Sequence, residues 1–170
     1  MAGWQDEVFD ALLRAGVRQV AYVPDAGHAR LIARAHADAA LRAVVLTTEE
    51  EGVALAAGAW LGGQRSVLLM QSSGVGNCIN MLSLPANCRM PFLALVTMRG
   101  EWAEFNPWQV AMATAAAPAL AAIGVHVRRA DHPEEAAATV AAAASLAFDS
   151  GVAVAVLLGQ RLIGAKDFSR

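Results

Sequence analysis

The chain has 170 residues, 56% of them hydrophobic and 16% charged, with a formal net charge of −2. That length suits one domain with a sizeable core, and the apolar content excludes a disordered chain. The near balance of charge excludes a general electrostatic footprint for nucleic acid and a polybasic membrane anchor.

Periodicity then divides the chain. Residues 4–15 read as a helix, with Val8, Leu12 and Ala15 on one face beside Phe9 and Gly16 as the stop. A short strand over 17–23 ends at Pro24, and a helical pattern returns over 30–39. Residues 44–47 form a second strand, and 49–61 a helix closed by Gly62-Gly63. The run 66–70, Ser-Val-Leu-Leu-Met, reads as a buried strand, Gly74-Val75-Gly76 as a turn, and 77–88 as the helix after it. A fourth strand, 92–97, is entered through Pro91, and 107–123 is helical with Pro107 suited to a first turn. Residues 125–128 form a weak strand. An alanine-rich helix over 133–148 is capped by Asp131 or His132 and stopped near Gly151, and 152–158 is the last strand. The expected fold is a three-layer α/β domain, a roughly six-stranded parallel sheet with helices on both faces. With no internal repeat or linker, 1–170 is expected to be a single domain, with 165–170 a loose tail.

Cys78 and Cys88 make no disulfide framework, and no Cys/His cluster has zinc spacing. The first residues lack the basic and apolar regions of a secretion signal. The longest charge-free stretch, 66–88, is interrupted by Gln71, Ser72, Ser73, Asn77 and Asn80, and the apolar stretch 110–125 contains Pro118, so neither reads as a membrane span. The expected location is the cytoplasm.

Ligands of such sheets gather beyond the carboxyl ends of the strands, which directs attention to four loops. In Thr47-Thr48-Glu49-Glu50-Glu51, carboxylates in a first helical turn suit the helix dipole, so the run reads as capping, or as a carboxyl turned inward where an apolar site lets it hold or donate a proton. In the helix that follows, Gly52, Ala56, Ala59 and Gly63 lay small residues along one side, for packing within the monomer or for a subunit interface. Gln71-Ser72-Ser73-Gly74-Val75-Gly76-Asn77 offers a tight approach of backbone, but Ile79 stands where a dinucleotide fingerprint needs a third glycine. Asp25 and His28 put two titratable groups at the first strand end, where a plain turn is the alternative. His36, His126 and His132 read as surface or packing residues. Arg99 either pairs with Glu101 or receives an acidic substrate, and Trp102, Phe105 and Trp108 make the loop after it aromatic.

Together these segments resemble the pyrimidine-binding domain of thiamine-diphosphate enzymes, within the group of sulfopyruvate and phosphonopyruvate decarboxylases. Met70-Gln71-Ser72-Ser73-Gly74-Val75-Gly76-Asn77 is similar to the group's Met-Gln-Asn-Ser-Gly-Leu-Gly-Asn, with Ser72 in place of the usual Asn. The run from Glu49 through Gly58 to Ala59-Trp60 resembles its glutamate-led helix, and Arg99-Gly100-Glu101 its Arg-Gly-Glu. The family's glutamate precedes the helix glycine by nine positions; counting back from Gly58 gives Glu49, and Glu50 needs a one-residue slip.

The resemblance implies thiamine diphosphate as cofactor, with Glu49, Gln71, Ser73, Gly74 and Asn77 as its binding residues and Glu49 as the catalytic one. In the family, the glutamate hydrogen-bonds N1′ of the aminopyrimidine and promotes the tautomer whose N4′ removes the C2 proton of the thiazolium. The thiazolium accepts the electrons left when a 2-oxo acid loses carbon dioxide, while the protein orients groups and controls protons. The substrate expected is a small anionic 2-oxo acid, with Asp25, His28 and Arg99 as candidate contacts. The family holds Mg²⁺ and the diphosphate through Gly-Asp-Gly and a downstream Asn pair; this sequence has neither a Gly-Asp nor an Asn-Asn dipeptide. The metal is therefore expected on a separate beta-type subunit carrying the diphosphate-binding domain, in an oligomer with the active site at the contact. The alternative is a non-catalytic pyrimidine-domain relative that serves assembly or binding.

Overall fold

The computed structural model describes residues 3–165, so positions 166–170 of the expected tail lie outside the described residues. Six strands form one sheet: β1 (Val17–Tyr22), β2 (Arg42–Val45), β3 (Arg65–Gln71), β4 (Phe92–Thr97), β5 (His126–Ala130) and β6 (Ala153–Leu158). Their order is β2-β1-β3-β4-β6-β5 and every pairing is parallel. The fold is therefore the expected doubly covered α/β sheet. β4 is buried at all six positions, as a strand covered on both faces requires, whereas the edge strand β2 has no fully buried residue.

Helices α1 (Trp4–Arg14), α2 (Ala29–Ala37) and α7 (Pro133–Ser150) cover one face. Their apolar stripes, including Val8, Phe9, Leu12, Leu31, Val140 and Phe148, meet Val20, Leu69, Leu95 and Val156 of the sheet. On the other face lie α3 (Glu49–Leu61), α4 (Ser72–Cys78), α5 (Ser83–Cys88) and α6 (Val110–Ala122), and Val53, Val75, Leu120 and Leu82, which precedes α5, pack on Leu68, Met70, Ala94 and Val96. Gly52, the first residue of the small-side-chain stripe, faces inward: a Cβ there would meet the Leu68 side chain and lie 2.9 Å from Leu46 Cδ1. Gly52, Ala56 and Ala59 are all buried, so this side of α3 packs within the monomer, while Gly63 lies exposed beyond the helix end.

Three expectations are corrected. Gly74–Gly76 is helix, not turn: α4 begins directly at Ser72 after extended Gln71, and the expected helix over 77–88 is split into α4 and α5. β2 lies two residues earlier than the apolar run 44–47, because Gln19 to Tyr22 of β1 pair with Arg42 to Val45. A short α8 (Gln160–Ile163) follows β6, where no apolar periodicity announces it. Elsewhere the chain obeys its local signals. Glu135 accepts from the N–H groups of Asp131 (2.6 Å) and His132 (3.0 Å) at the start of α7, and Gly151, at φ +69°, ends that helix.

The chain passes from β1 outward to β2 and then back across β1 to β3. This reversal is the switch point of the sheet, and the loops leaving β1, β2 and β3 open beside it.

Candidate active site

The three glutamates after β2 divide between two tasks. Thr48 is extended (φ −148°, ψ 155°) and α3 begins at Glu49. Glu51 accepts the Thr47 N–H at 2.8 Å and Glu50 accepts the Thr48 hydroxyl at 2.5 Å, so both serve the helix start. Glu49 turns the other way and is only 8% exposed.

What it turns toward is the first turn of α4. A Cβ on Gly74 would collide with the Glu49 carboxyl group, so the bare glycine is what lets that side chain pass. One turn on, Asn77 Nδ2 donates to Glu49 Oε2 at 2.8 Å. Glu49, Ser73, Gly74 and Asn77 line a cleft of about 450 Å³ whose remaining lining is Trp108, Ala111 and Met112. One wall is therefore polar and carries a carboxylate, and the other is indole, methyl and thioether.

Behind Ser73 the polar chain continues along the strand ends. Ser73 Oγ donates to Gln71 Oε1 at 3.0 Å, Gln71 Nε2 donates to Asp25 Oδ1 at 3.0 Å, and Thr97 Oγ1 donates to Asp25 Oδ2 at 2.7 Å. Gln71 and Asp25 thus adjoin the cleft through Ser73 without lining it. Cys78, below the cleft, is no nucleophile: burial, and then the charges of Glu49 and Glu50, push its thiol up to about 12.

Two expected substrate contacts are elsewhere. His28 is 0% exposed, and its Nε2 faces Met70 O (3.2 Å) and Leu95 O (3.1 Å), so it carries the proton and donates to both. Burial holds the imidazole below its ordinary pKa, against the opposing pull of Asp25, and Nδ1 has no hydrogen-bond partner among the described residues. It pins two strands together and does not line the Glu49 cleft. Arg99 is likewise withdrawn. It pairs with Glu104 rather than Glu101, through Nε and Nη2 each at 2.6 Å, with side chains 4% and 3% exposed. The Nε–Nη2 edge of the guanidinium forks that carboxylate and the side chain is buried, so the geometry lends no support to the expected substrate-anion contact. Glu101 instead pairs with Arg129 at 2.7 Å. Sequence reasoning missed Glu104 and Gln160, which the loop depends on: neither lies in a periodic segment.

No family model matches the chain. The sulfopyruvate decarboxylase alpha subunit of Methanothermobacter thermautotrophicus is 33% identical over 154 residues, covering 90% of this chain and 93% of that subunit. That of Methanococcus maripaludis is 32% identical over 154 residues, covering 90% and 92%. This chain belongs to the sulfopyruvate decarboxylase alpha-subunit family. Phosphonopyruvate decarboxylase of Streptomyces viridochromogenes is 43% identical over 90 residues, which are 52% of this chain and 23% of that enzyme. Among solved structures, a 2-oxoglutarate:ferredoxin oxidoreductase from Magnetococcus marinus has a TM-score of 0.73 at 15% identity, covering 95% of this chain and 29% of that one, a likeness of fold. The family is one of thiamine-diphosphate decarboxylases, and its alpha-subunit naming implies a second subunit. Within that family frame the relevant landmark is the Glu49 cleft, because it joins the carboxylate that opens α3 to α4 residues of the Gln71–Asn77 segment.

Proposed function

We propose that this chain is the alpha-type subunit of a cytoplasmic thiamine-diphosphate-dependent decarboxylase. Its substrate is a small anionic 2-oxo acid of the sulfopyruvate or phosphonopyruvate type. The chain is one pyrimidine-binding domain, and a beta-type subunit holds Mg²⁺ and the diphosphate in an oligomer of the two.

The observation that carries the reading is the buried Glu49 carboxylate on the polar wall of a cleft whose facing wall is apolar. An aminopyrimidine ring has apolar faces and a polar edge, and the donor set fits it. The faces suit Met112, Ala111 and Trp108, the edge suits Glu49, and about 450 Å³ is within the range of small-molecule sites. When bound, the cofactor supplies a thiazolium that takes up the electron pair left by departing carbon dioxide.

The chain's own residues do the rest. Asn77 holds Oε2 of Glu49 and so fixes the carboxyl plane, leaving Oε1 for the N1′ edge. Glu49 would hold the proton at that oxygen and supply general acid–base chemistry to the ring edge of the bound cofactor. Gly74 keeps the approach open, and Ser73 and Gln71 brace it from the strand end. Asp25, held by Gln71 and Thr97, is the carboxylate offered to the substrate side.

The test is reconstitution with a partner subunit that carries Gly-Asp-Gly, followed by carbon dioxide release from sulfopyruvate and from phosphonopyruvate. Turnover of one of them is expected, and Glu49→Ala is expected to lower kcat by a factor on the order of 10²–10⁴, the scale of a lost general acid–base. Robust turnover by the Glu49→Ala complex refutes the catalytic assignment. A wild-type complex that binds the cofactor yet releases no carbon dioxide from either acid returns the chain to the non-catalytic reading.

A further inference from the structure

We propose that Glu104 is a positioning residue for the Glu49 cleft, holding Trp108 as its outer wall through a chain of hydrogen bonds. Trp108 is 81% exposed, yet it lines the cleft with Glu49. An indole so exposed is not fixed by packing, so its position comes from the backbone that carries it.

That backbone is irregular from Arg99 to Asn106, and its N–H groups need partners. Ser72 Oγ accepts the Arg99 N–H at 3.1 Å, and two further side chains hold four more. The Glu104 carboxylate accepts from Arg99 Nε and Nη2 (2.6 Å each), from the N–H groups of Gly100 (3.3 Å) and Asn106 (3.1 Å), and from Gln160 Nε2 (2.9 Å). The Gln160 carbonyl oxygen accepts the N–H groups of Glu101 (2.8 Å) and Trp102 (2.9 Å). Asn106 passes this order on: its Oδ1 accepts the Trp108 N–H at 3.1 Å and starts the turn Pro107–Gln109 that leads into α6. Gly100, at φ +88°, closes the loop, since a Cβ there would lie 2.5 Å from the Gln109 carbonyl oxygen. Neither Glu104 nor Gln160 lines the cleft, so their effect on it runs through Asn106 and Trp108.

This inference rests on reading the cleft as the aminopyrimidine site. Its test is a double-mutant cycle in the reconstituted complex, with the Kd for thiamine diphosphate in the presence of Mg²⁺ read by calorimetry. Glu104→Ala and Trp108→Ala are each expected to weaken binding on the order of tenfold, the cost of a displaced positioning group. The double variant is expected to bind no more weakly than Trp108→Ala alone, because one residue acts through the other. Additive losses, or wild-type affinity in Glu104→Ala, would overturn the proposal. Should Glu104→Ala not fold, Asn106→Ala cuts the same path outside the buried ion pair and takes its place with the same expected outcomes. A wild-type complex that binds no thiamine diphosphate refutes the cofactor reading instead. The positioning claim is then read from amide exchange of the full chain. Glu104→Ala is expected to speed exchange at Asn106 and Trp108 by about tenfold or more, and unchanged exchange overturns it.

Discussion

His28 is the residue whose burial has the plainest consequence. Its imidazole is fully enclosed, its proton is shared between two strand carbonyls, and desolvation holds its pKa below the ordinary 6.5. The unfolded chain therefore binds a proton below pH 6.5 that the folded chain refuses. Stability is full above that value and falls as the pH drops beneath it. Glu104 titrates in a different window: the Arg99 guanidinium lowers its carboxyl from 4.5 to about 2, so its contribution is full above 4.5 and is lost progressively as the pH falls from there through about 2. Between pH 7.5 and 5 the decline belongs to His28. Urea midpoints across that range are expected to fall for the wild type and to stay flatter for His28→Gln, whose amide still donates but does not titrate. The same residue shows where a sequence misleads. An Asp and a His four residues or fewer apart at a strand end look like paired chemistry, but Asp25 stays at the edge while His28 points beneath it, and no local spacing distinguishes the two.

At the scale of elements, the decisive contact is α3 against α4. Gly74 and Gly76 look alike in the sequence and read naturally as a turn, yet both are helical and their tasks differ. Gly74 is where the Glu49 side chain crosses, whereas a Cβ on Gly76 would meet nothing closer than Met112 Sδ at 3.7 Å. Gly74→Ala is therefore expected to displace the Glu49 carboxyl group, costing about 1–3 kcal/mol of stability by overpacking and weakening cofactor binding. Gly76→Ala is expected to be neutral or stabilising by up to about 1 kcal/mol, because alanine is the better helix former. Urea unfolding and cofactor titration of the two variants check this, and equal losses would contradict it. The glutamate run divides in the same way: Glu50 and Glu51 serve the helix start, while the Glu49 side chain faces inward. Which glutamate does which is legible only through the helix start, since α3 begins at Glu49 and the inward direction follows from that.

Across the whole molecule, the alternation of buried strands and helices carried most of the fold. Continuous apolar runs such as Phe92–Thr97 must lie between two layers, and six strands separated by helices leave a parallel sheet as the natural arrangement. The site was legible in part, because its glutamate and its α4 residues sit where strand ends meet helix starts beside the switch point. The clasp on the aromatic loop was not. Gln160 meets Glu104 from 56 positions along the chain, and a partner at that distance leaves no periodic trace. The Arg99 pairing failed for a related reason: Glu101 and Glu104 are both within reach in sequence, and the choice is made by β5, where Arg129 claims Glu101.

Proton control by Glu49 is the step on which the proposed activity depends. Its most direct measurement is the rate of hydrogen–deuterium exchange at C2 of thiamine diphosphate bound to the reconstituted complex, followed by NMR after acid quench. Exchange far faster than for the free cofactor is expected in the wild type, falling by a factor on the order of 10² or more in Glu49→Gln, which can keep a hydrogen bond but cannot pass a proton. Equal exchange rates in the two complexes would contradict it.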